Sequence, residues 1–147
     1  MSKFALEEIE ILHSRIKFFK LVRNDTCEFD DFIEEISLNG NYEVELDSIQ
    51  TIIEMVAQMQ RVSPGKFKEL SKNGKDPHKD YEIRTPNLRV YLFKADEGKI
   101  IVTGAKKSPK NQQQDIARLR MIKKEFFQER NELVKSIPTT KKANRKK

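Results

Sequence analysis

The chain has 147 residues, a formal net charge of +6 and one cysteine, Cys27. That length suits one domain with a modest core. The lone cysteine excludes an intramolecular disulfide and fits a reducing compartment, and no apolar run approaches the ~20 residues of a membrane-spanning helix. We therefore expect a cytoplasmic protein that is not attached to a membrane.

The charge is distributed unevenly along the chain. Residues 1–60 carry a net charge of −8, whereas residues 61–147 carry +14. An acidic half followed by a basic half predicts that the second half meets a polyanion such as a nucleic acid.

The first third of the chain predicts a strand followed by two helices. Residues 1–14 are treated as an N-terminal extension that could be helix or strand, and residues 15–22 favour a strand. Asp25 or Thr26 could cap the helix that follows. The apolar residues of that helix recur at i, i+3, i+4 and i+7: Phe29, Phe32, Ile33 and Ile36.

The remaining helical and connecting segments follow from apolar spacing and turn residues. An apolar stripe predicts a core-packing helix over 45–61, and residues 64–80 read as a lysine-rich connection. Ser108-Pro109 resembles a cap and first helical residue, so a helix is expected over 111–134. Residues 135–147 are basic and predicted to be a disordered tail, which makes 15–134 the folded domain.

Residues 81–93 predict a β-hairpin whose turn is Thr85-Pro86-Asn87-Leu88. A four-residue turn places Arg84 opposite Arg89 and Glu82 opposite Tyr91, with all four side chains on one sheet face. Two arginines in facing positions repel by up to about 1 kcal/mol, and an anionic ligand would relieve that repulsion.

A third strand is predicted over 99–107, after a hairpin turn with Glu97-Gly98 as its loop residues. Asp96 would then face Lys99, and Arg89 would face Lys106. The result is a row of three cations, Arg84, Arg89 and Lys106, across three strands. A one-residue slip would substitute Lys107 for Lys106, and the alternative to a binding site is a basic, solvated sheet face.

The predicted architecture is α+β: an antiparallel sheet formed by one strand and a three-stranded meander, with two helices between them in the chain and a C-terminal helix packed on the sheet, so that helices cover one sheet face. The sequence shows no metal-ligand cluster and no glycine-rich phosphate loop, because its five glycines are dispersed. His78 precedes the central strand and is a minor candidate for proton transfer.

Three segments together resemble the core of RelE/HigB-type toxins, the ribonuclease partners of bacterial type II toxin–antitoxin pairs. They are Tyr81-Glu82-Ile83-Arg84, Leu88-Arg89-Val90-Tyr91-Leu92-Phe93, and Ile100 to Lys107 with its Gly104-Ala105-Lys106-Lys107 end. Ser108-Pro109 stands where that family introduces its last helix. The resemblance covers about residues 15–130, and its specific part is 81–110.

The resemblance implies a RelE-like small domain that cleaves messenger RNA, usually on the ribosome, without a metal or other cofactor. Glu82 or a neighbouring residue would be the general base, Arg84 and Arg89 would clamp the phosphate, and Lys106 or Lys107 would stabilise charge or donate a proton. RNA-binding roles would fall to Lys79, Tyr91, Lys107 and Lys110. The implied partners are messenger RNA and a cognate antitoxin protein.

Two other functions remain open at this stage. One is a gyrase inhibitor of the ParE-like branch, which shares the fold but generally lacks the cationic RNA-cleaving set. The other is a non-catalytic nucleic-acid-binding module, which would bind phosphates in a salt-dependent way. An ion pair between Glu82 and an arginine would also give Glu82 a structural role, because flanking arginines lower a carboxyl pKa and weaken it as a base.

Overall fold

The computed structural model describes residues 2–71 and 76–135, which form an α+β fold of six strands and three helices. In chain order these are β1 (Phe4–Ile9), β2 (Phe18–Arg23), α1 (Glu28–Asn39), α2 (Glu43–Ala57), β3 (Phe67–Glu69), β4 (Asp80–Arg84), β5 (Leu88–Ala95), β6 (Gly98–Lys106) and α3 (Gln112–Lys135). The predicted disordered tail lies outside the described residues from 136 onward. None of the described helices is long and apolar enough to cross a membrane.

All six strands belong to one mixed sheet with the order β1-β2-β6-β5-β4-β3. The expectation of a purely antiparallel sheet is wrong, because β2 runs parallel to β6 and pairs Phe18 with Lys99. A parallel pair needs a long crossover, and here α1, α2 and the other strands supply it. Local apolar patterns do not report such a long-range pairing.

The helices cover both faces of the sheet, not one as the sequence predicted. Val90 and Leu92 of β5 belong to the core beneath α1 and α2, whereas Tyr91 and Phe93 belong to the core beneath α3. Because strand side chains alternate between faces, β5 is buried on both sides and carries an almost unbroken apolar run.

The N-terminal segment is an integral part of the sheet. Residues Phe4–Ile9 form the edge strand β1, which pairs antiparallel with β2 along its whole length. Phe4 is buried and its ring meets that of Phe126 edge-on, with 5.6 Å between centroids. The strand within residues 1–14 therefore shares the core beneath α3.

The helix starts differ from the predicted caps. In α1 the N-cap is Cys27, because Asn24 and Asp25 take positive φ values of 51° and 64° in a turn that precedes the helix. In α3 the helix starts at Gln112, after a turn in which Ser108 O accepts hydrogen bonds from the amides of Asn111 and Gln112. Residues that local capping rules assign to the starts of these helices therefore lie in the turns that precede them.

A short edge strand, β3, was not predicted. It consists of Phe67–Glu69, pairs antiparallel with β4, and sits within what the sequence presents as a lysine-rich connection. The ring of Phe67 stacks on that of Tyr81, with 5.0 Å between centroids. A strand of three residues with two charged members carries no alternation that a sequence pattern could reveal.

The register between β5 and β6 differs from the prediction. The turn residues are Asp96 and Glu97, not Glu97 and Gly98, so the pairing beside the turn is shifted by two residues and Lys94, not Asp96, faces Lys99. A bulge between Tyr91 and Leu92 reduces this shift to one residue, so that Arg89 faces Ala105, not Lys106. The bulge arises in a stretch that is apolar on both faces, so alternation could not fix its position.

Two glycines of β6 allow atoms of neighbouring elements to come closer to this strand than a side chain would permit. Gly98 has a φ of 150° and packs against the carbonyl of Lys17, which brings β2 beside β6. A Cβ on Gly104 would lie 2.5 Å from Cδ2 of Phe32, so this glycine lets α1 pack directly on the sheet.

A buried polar cluster attaches α3 to β4. Asp80 is 1% exposed, and its Oδ2 lies 3.2 Å from both Arg120 Nε and Lys123 Nζ. Ser71 Oγ donates to Oδ1 of the same carboxylate, and Lys123 Nζ also reaches Asp76 at 2.8 Å. The burial of Asp80 is therefore compensated by cations and hydrogen bonds.

Candidate nucleic-acid site

A pocket of about 750 Å³ opens where the β4–β5 turn meets α2. Its walls come from α2, from the segment after α2, and from the ends of β4, β5 and β6. The lining residues are Val44, Asp47, Ser48, Thr51, Ile52, Met55, Arg61, Val62, Ser63, Gly65, Lys66, Arg84, Thr85, Pro86, Arg89 and Lys107. Five of these side chains are cationic and one is acidic.

Arg84 and Arg89 occupy facing positions on β4 and β5, as the hairpin prediction required. Glu82 faces Tyr91 in the same ladder, so the predicted register of this hairpin is confirmed. The repulsion expected between two facing arginines is offset by Glu82, whose Oε1 lies 2.9 Å from Arg84 Nε and 4.0 Å from Arg89 Nε.

Glu82 is fully buried between these arginines and α3. Gln112 Nε2 donates to its Oε2 at 3.1 Å, whereas Oε1 has no aligned hydrogen-bond donor despite its ion pair with Arg84. Burial and the nearby Glu82 carboxylate raise the pKa of Tyr91 far above its ordinary value. An acid with no exposed surface holds its neighbours in position and offers no face to a substrate.

Arg89 is fixed by the backbone of the turn. Its Nη1 donates to Thr85 O at 2.6 Å and to Leu88 O at 2.8 Å, while its Nε has no hydrogen-bond partner. The side chain is 6% exposed, so most of its surface packs against protein. A guanidinium held in this way keeps one orientation at the pocket.

The turn that holds Arg89 is itself fixed by Glu45 of α2. The Glu45 carboxylate accepts hydrogen bonds from Thr85 Oγ1 at 2.5 Å, from the Asn87 amide at 2.7 Å and from Asn87 Nδ2 at 2.9 Å. Burial alone would raise the pKa of Glu45, but the hydrogen bonds from Thr85 and Asn87 outweigh it and leave the pKa below its ordinary value. Glu45 therefore joins the helix wall of the pocket to its arginine wall.

Lys107, not Lys106, accompanies the two arginines. Lys106 pairs with Leu88 and its ammonium lies over the Tyr42 ring, 5.6 Å from the centroid, on the α1–α2 face. Lys107 is one residue further, donates its amide to Asn87 O at 2.7 Å, and lines the pocket. The predicted row Arg84, Arg89, Lys106 is thus wrong, because the β5–β6 turn lies one residue earlier than predicted and the bulge restores only part of the resulting shift.

The other predicted RNA-binding residues lie outside the pocket lining. Tyr91 is 1% exposed beneath α3, so its ring cannot stack on a base. Lys79 lies 3.5 Å from Glu69, and Lys110 is an exposed residue of the turn before α3. His78 stacks on Phe127 with 3.9 Å between ring centroids, away from the arginines.

Sequence reasoning missed three charged residues of the pocket: Arg61, Lys66 and Asp47. The first two follow α2, and Lys66 O accepts the amide of Arg84 at 2.8 Å, which brings this segment to the end of β4. The basic half of the chain begins at residue 61, and this change of charge was the sequence signal that could have indicated Arg61 and Lys66. Asp47 lies on the polar side of α2, and the sequence pattern of that helix marks only its apolar, core-packing side.

Three of the pocket cations are not neutralised by protein. In the described ranges 2–71 and 76–135, no carboxylate oxygen lies within 4.0 Å of the charged nitrogens of Arg61, Lys66 or Lys107. The only acid on the lining, Asp47, makes no ion pair with them in this part of the chain. The pocket therefore keeps a positive field that favours an anionic ligand.

The chain has no counterpart in the comparisons with known proteins. No protein-family profile, curated protein or solved structure gives a significant match. Among the described residues, no group of three or more His, Cys, Asp or Glu side chains is arranged to hold a metal ion.

Proposed function

We propose that the chain is a RelE/HigB-type toxin of a bacterial type II toxin–antitoxin pair. In this proposal it cleaves messenger RNA on the ribosome without a metal, and a cognate antitoxin neutralises it. The observation that carries the proposal is the convergence of Arg84, Arg89 and Lys107 on one pocket with two further cations. The order of one strand, two helices, three antiparallel strands and a final helix also supports a RelE-like domain, to which β1 and β3 are additions.

The proposed reaction needs charge stabilisation more than it needs a protein base. The ribose 2′-oxygen bonds to the adjacent phosphorus, the bond from phosphorus to the 5′-oxygen breaks, and the products end in a 2′,3′-cyclic phosphate and a 5′-hydroxyl. Arg84 and Arg89 would bind the phosphate oxygens, and Lys107 would give a proton to the leaving 5′-oxygen. The proton of the 2′-hydroxyl would pass to solvent hydroxide, since Glu82 is fully buried.

The expected contribution of each cation can be estimated. Preorganised donors aimed at developing charge are worth ~10²–10³ in rate each. Arg84 and Arg89 satisfy the requirement for preorganisation, because Glu82 and the turn carbonyls hold them. The role of Glu82 in this proposal is to position the arginines, which replaces the general-base role implied by the resemblance.

The decisive experiment compares two adjacent lysines. Purified wild type, Lys107→Ala and Lys106→Ala are incubated with messenger RNA on translating ribosomes, and transcript ends are mapped by primer extension and by chemical identification of the cyclic phosphate. We expect Lys107→Ala to slow cleavage by ~10²–10³ and Lys106→Ala to have a much smaller effect. Equal losses, or a larger loss for Lys106→Ala, would contradict the assignment of the pocket, and wild type that leaves RNA intact would refute the function.

One observation favours a second candidate function, a non-catalytic RNA-binding module. Glu82, the carboxylate paired with both Arg84 and Arg89, has no exposed surface and no route to a substrate hydroxyl. A module of this kind would bind RNA through the same cations, with strong salt dependence. It would leave no cyclic phosphate ends in the experiment above.

A further inference from the structure

We propose that the pocket binds one unpaired nucleotide of the RNA, with its phosphate at Arg84 and Arg89, its base against α2, and Asp47 selecting guanine. This inference rests on the proposed function and adds to it the identity of the nucleotide that the site holds. It assigns a role to Asp47 and to the apolar residues of the pocket, which have no role in the phosphate chemistry.

The size of the pocket exceeds what a phosphate group alone requires. Its volume of about 750 Å³ lies in the range of ~300–1,000 Å³ typical of pockets that enclose whole small molecules. The pocket extends from the arginines along α2 as far as Met55 and then to Val62. A nucleoside attached to the bound phosphate would occupy that extension.

The lining also contains apolar side chains. Ile52 and Met55 of α2 and Val62 after it contribute aliphatic groups, and none of the described lining residues is aromatic. The flat faces of a nucleobase can pack on such groups, while a purely ionic ligand would gain nothing from them. A lining that combines cations with aliphatic groups thus matches a ligand with a phosphate and a planar ring.

Asp47 supplies the group that distinguishes bases. It lines the pocket on the same side of α2 as Ser48 and Thr51, and no described residue forms an ion pair or hydrogen bond with its side chain. An ionised carboxylate only accepts hydrogen bonds and can accept two from adjacent donors. Guanine presents N1–H and N2–H side by side on its Watson–Crick edge, whereas adenine, cytosine and uracil present donors next to acceptors. A carboxylate in this position therefore favours guanine.

The test measures binding without cleavage. Guanosine, adenosine, cytidine and uridine 3′-monophosphates and inorganic phosphate are titrated into wild type, Asp47→Asn and the matched control Glu43→Gln by calorimetry. Glu43 is an exposed acid of the first turn of α2 and does not line the pocket. For wild type and Glu43→Gln we expect guanosine monophosphate to bind at least ~10-fold tighter than the other nucleotides, a factor that one charged hydrogen-bond pair can supply. We expect Asp47→Asn to remove that preference and to leave phosphate binding intact.

Each alternative outcome overturns the inference. Wild type that binds all four nucleotides equally, or no tighter than phosphate, refutes the base subsite. A guanine preference that survives in Asp47→Asn refutes the role of Asp47. If Asp47 were instead a general base, Asp47→Asn would slow cleavage by ~10²–10⁴ and keep its guanine preference.

Failure of the proposed function looks different. Selective, Asp47-dependent binding of guanosine monophosphate by a protein that leaves RNA uncleaved would retain the subsite and refute the ribonuclease. RNA cleavage that depends on Lys107, with no nucleotide preference, would retain the ribonuclease and refute the subsite.

Discussion

The environment of Glu82 decides which role this carboxylate has beside the two arginines that flank it. A carboxylate beside facing guanidinium groups is a candidate base if it reaches solvent, but here it has no exposed surface and α3 covers it. Its negative charge instead permits Arg84 and Arg89 to stand opposite each other on the ladder. The residue that the sequence presents as a reactant is, in the structure, a counter-ion.

Replacement of Glu82 by glutamine tests this role through stability. The change keeps the shape of the side chain but leaves two arginines without a counter-ion, and removal of one partner of a buried ion pair costs about 3–5 kcal/mol. We expect the free energy of unfolding in urea to fall by about 3 kcal/mol, because Arg84 retains some solvent contact. Glu7→Gln, on the exposed side of β1, is the control and should change it by less than about 0.5 kcal/mol. A stable Glu82→Gln protein that had lost only its activity would restore Glu82 as a reactant.

Among the helices and strands, the sequence predicted correctly those that the local spacing of apolar and turn residues determines. The apolar periods of α1 and α2 and the hairpin of β4 and β5 were recoverable, and so was the facing pair Arg84 and Arg89. The hairpin prediction was correct because Pro86 and Asn87 mark the turn and polar residues mark one face of β4.

Other elements depend on contacts that local spacing does not encode. The β5–β6 bulge lies in a strand that is apolar on both faces, β3 is too short to show alternation, and the parallel partner of β2 is remote in sequence. For the candidate site, the arginine pair followed from the hairpin. Arg61, Lys66 and Asp47 join it only through the packing of α2 against the β4–β5 turn.

The attachment of α3 to β4 has a defined dependence on pH. Burial alone would raise the pKa of Asp80, but the hydrogen bond from Arg120 and the charge and hydrogen bond of Lys123 outweigh it and hold the pKa below its ordinary value. The folded pKa is therefore lower than the value of about 3.9 in the unfolded chain. Stabilisation by Asp80 is complete above about pH 4 and is lost as the pH falls through the folded pKa.

Asp80→Asn measures that contribution. At pH 7 we expect the free energy of unfolding to fall by about 3 kcal/mol, the lower end for a buried ion pair, since Arg120 is half exposed. As the pH falls below about 4, the wild type should lose stability more steeply than the variant, as urea titrations at each pH would show. The exposed Asp96 provides the control, since Asp96→Asn should keep both the stability and the acid sensitivity of the wild type. Parallel curves for wild type and Asp80→Asn would contradict the ion-pair account.

The whole molecule separates its charges between two halves, and the pocket lies where they meet. The acidic first 60 residues include α2, which forms one wall, while the cations of the lining all come from residue 61 onward. This arrangement presents positive charge at the pocket and negative charge along the N-terminal part of the chain. In the proposed function, RNA would therefore approach the molecule from the side of the pocket.

Salt dependence measures how many of these cations contact RNA. For single-stranded RNA, log K falls with log salt by ~0.7 for each phosphate neutralised. We expect Arg61→Ala and Lys66→Ala each to reduce that slope by ~0.7 in titrations of a labelled RNA oligonucleotide. Lys20→Ala is the control, because Lys20 is already paired with Asp30 at 2.9 Å in the acidic half. An unchanged slope in both pocket variants would place the RNA elsewhere.

The parallel pairing of β2 with β6 also limits when the sheet can be completed during synthesis of the chain. Phe18 meets Lys99 in that pairing, so β2, which already pairs with β1, waits for β6 before it gains its second partner. Such non-local pairing slows folding and delays it until most of the chain has emerged. A nascent chain interrupted before residue 98 would lack the strand that joins both parts of the sheet, and with it Lys107. For a protein proposed to attack the translation machinery, this delay would keep each copy harmless until β6 and Lys107 have emerged.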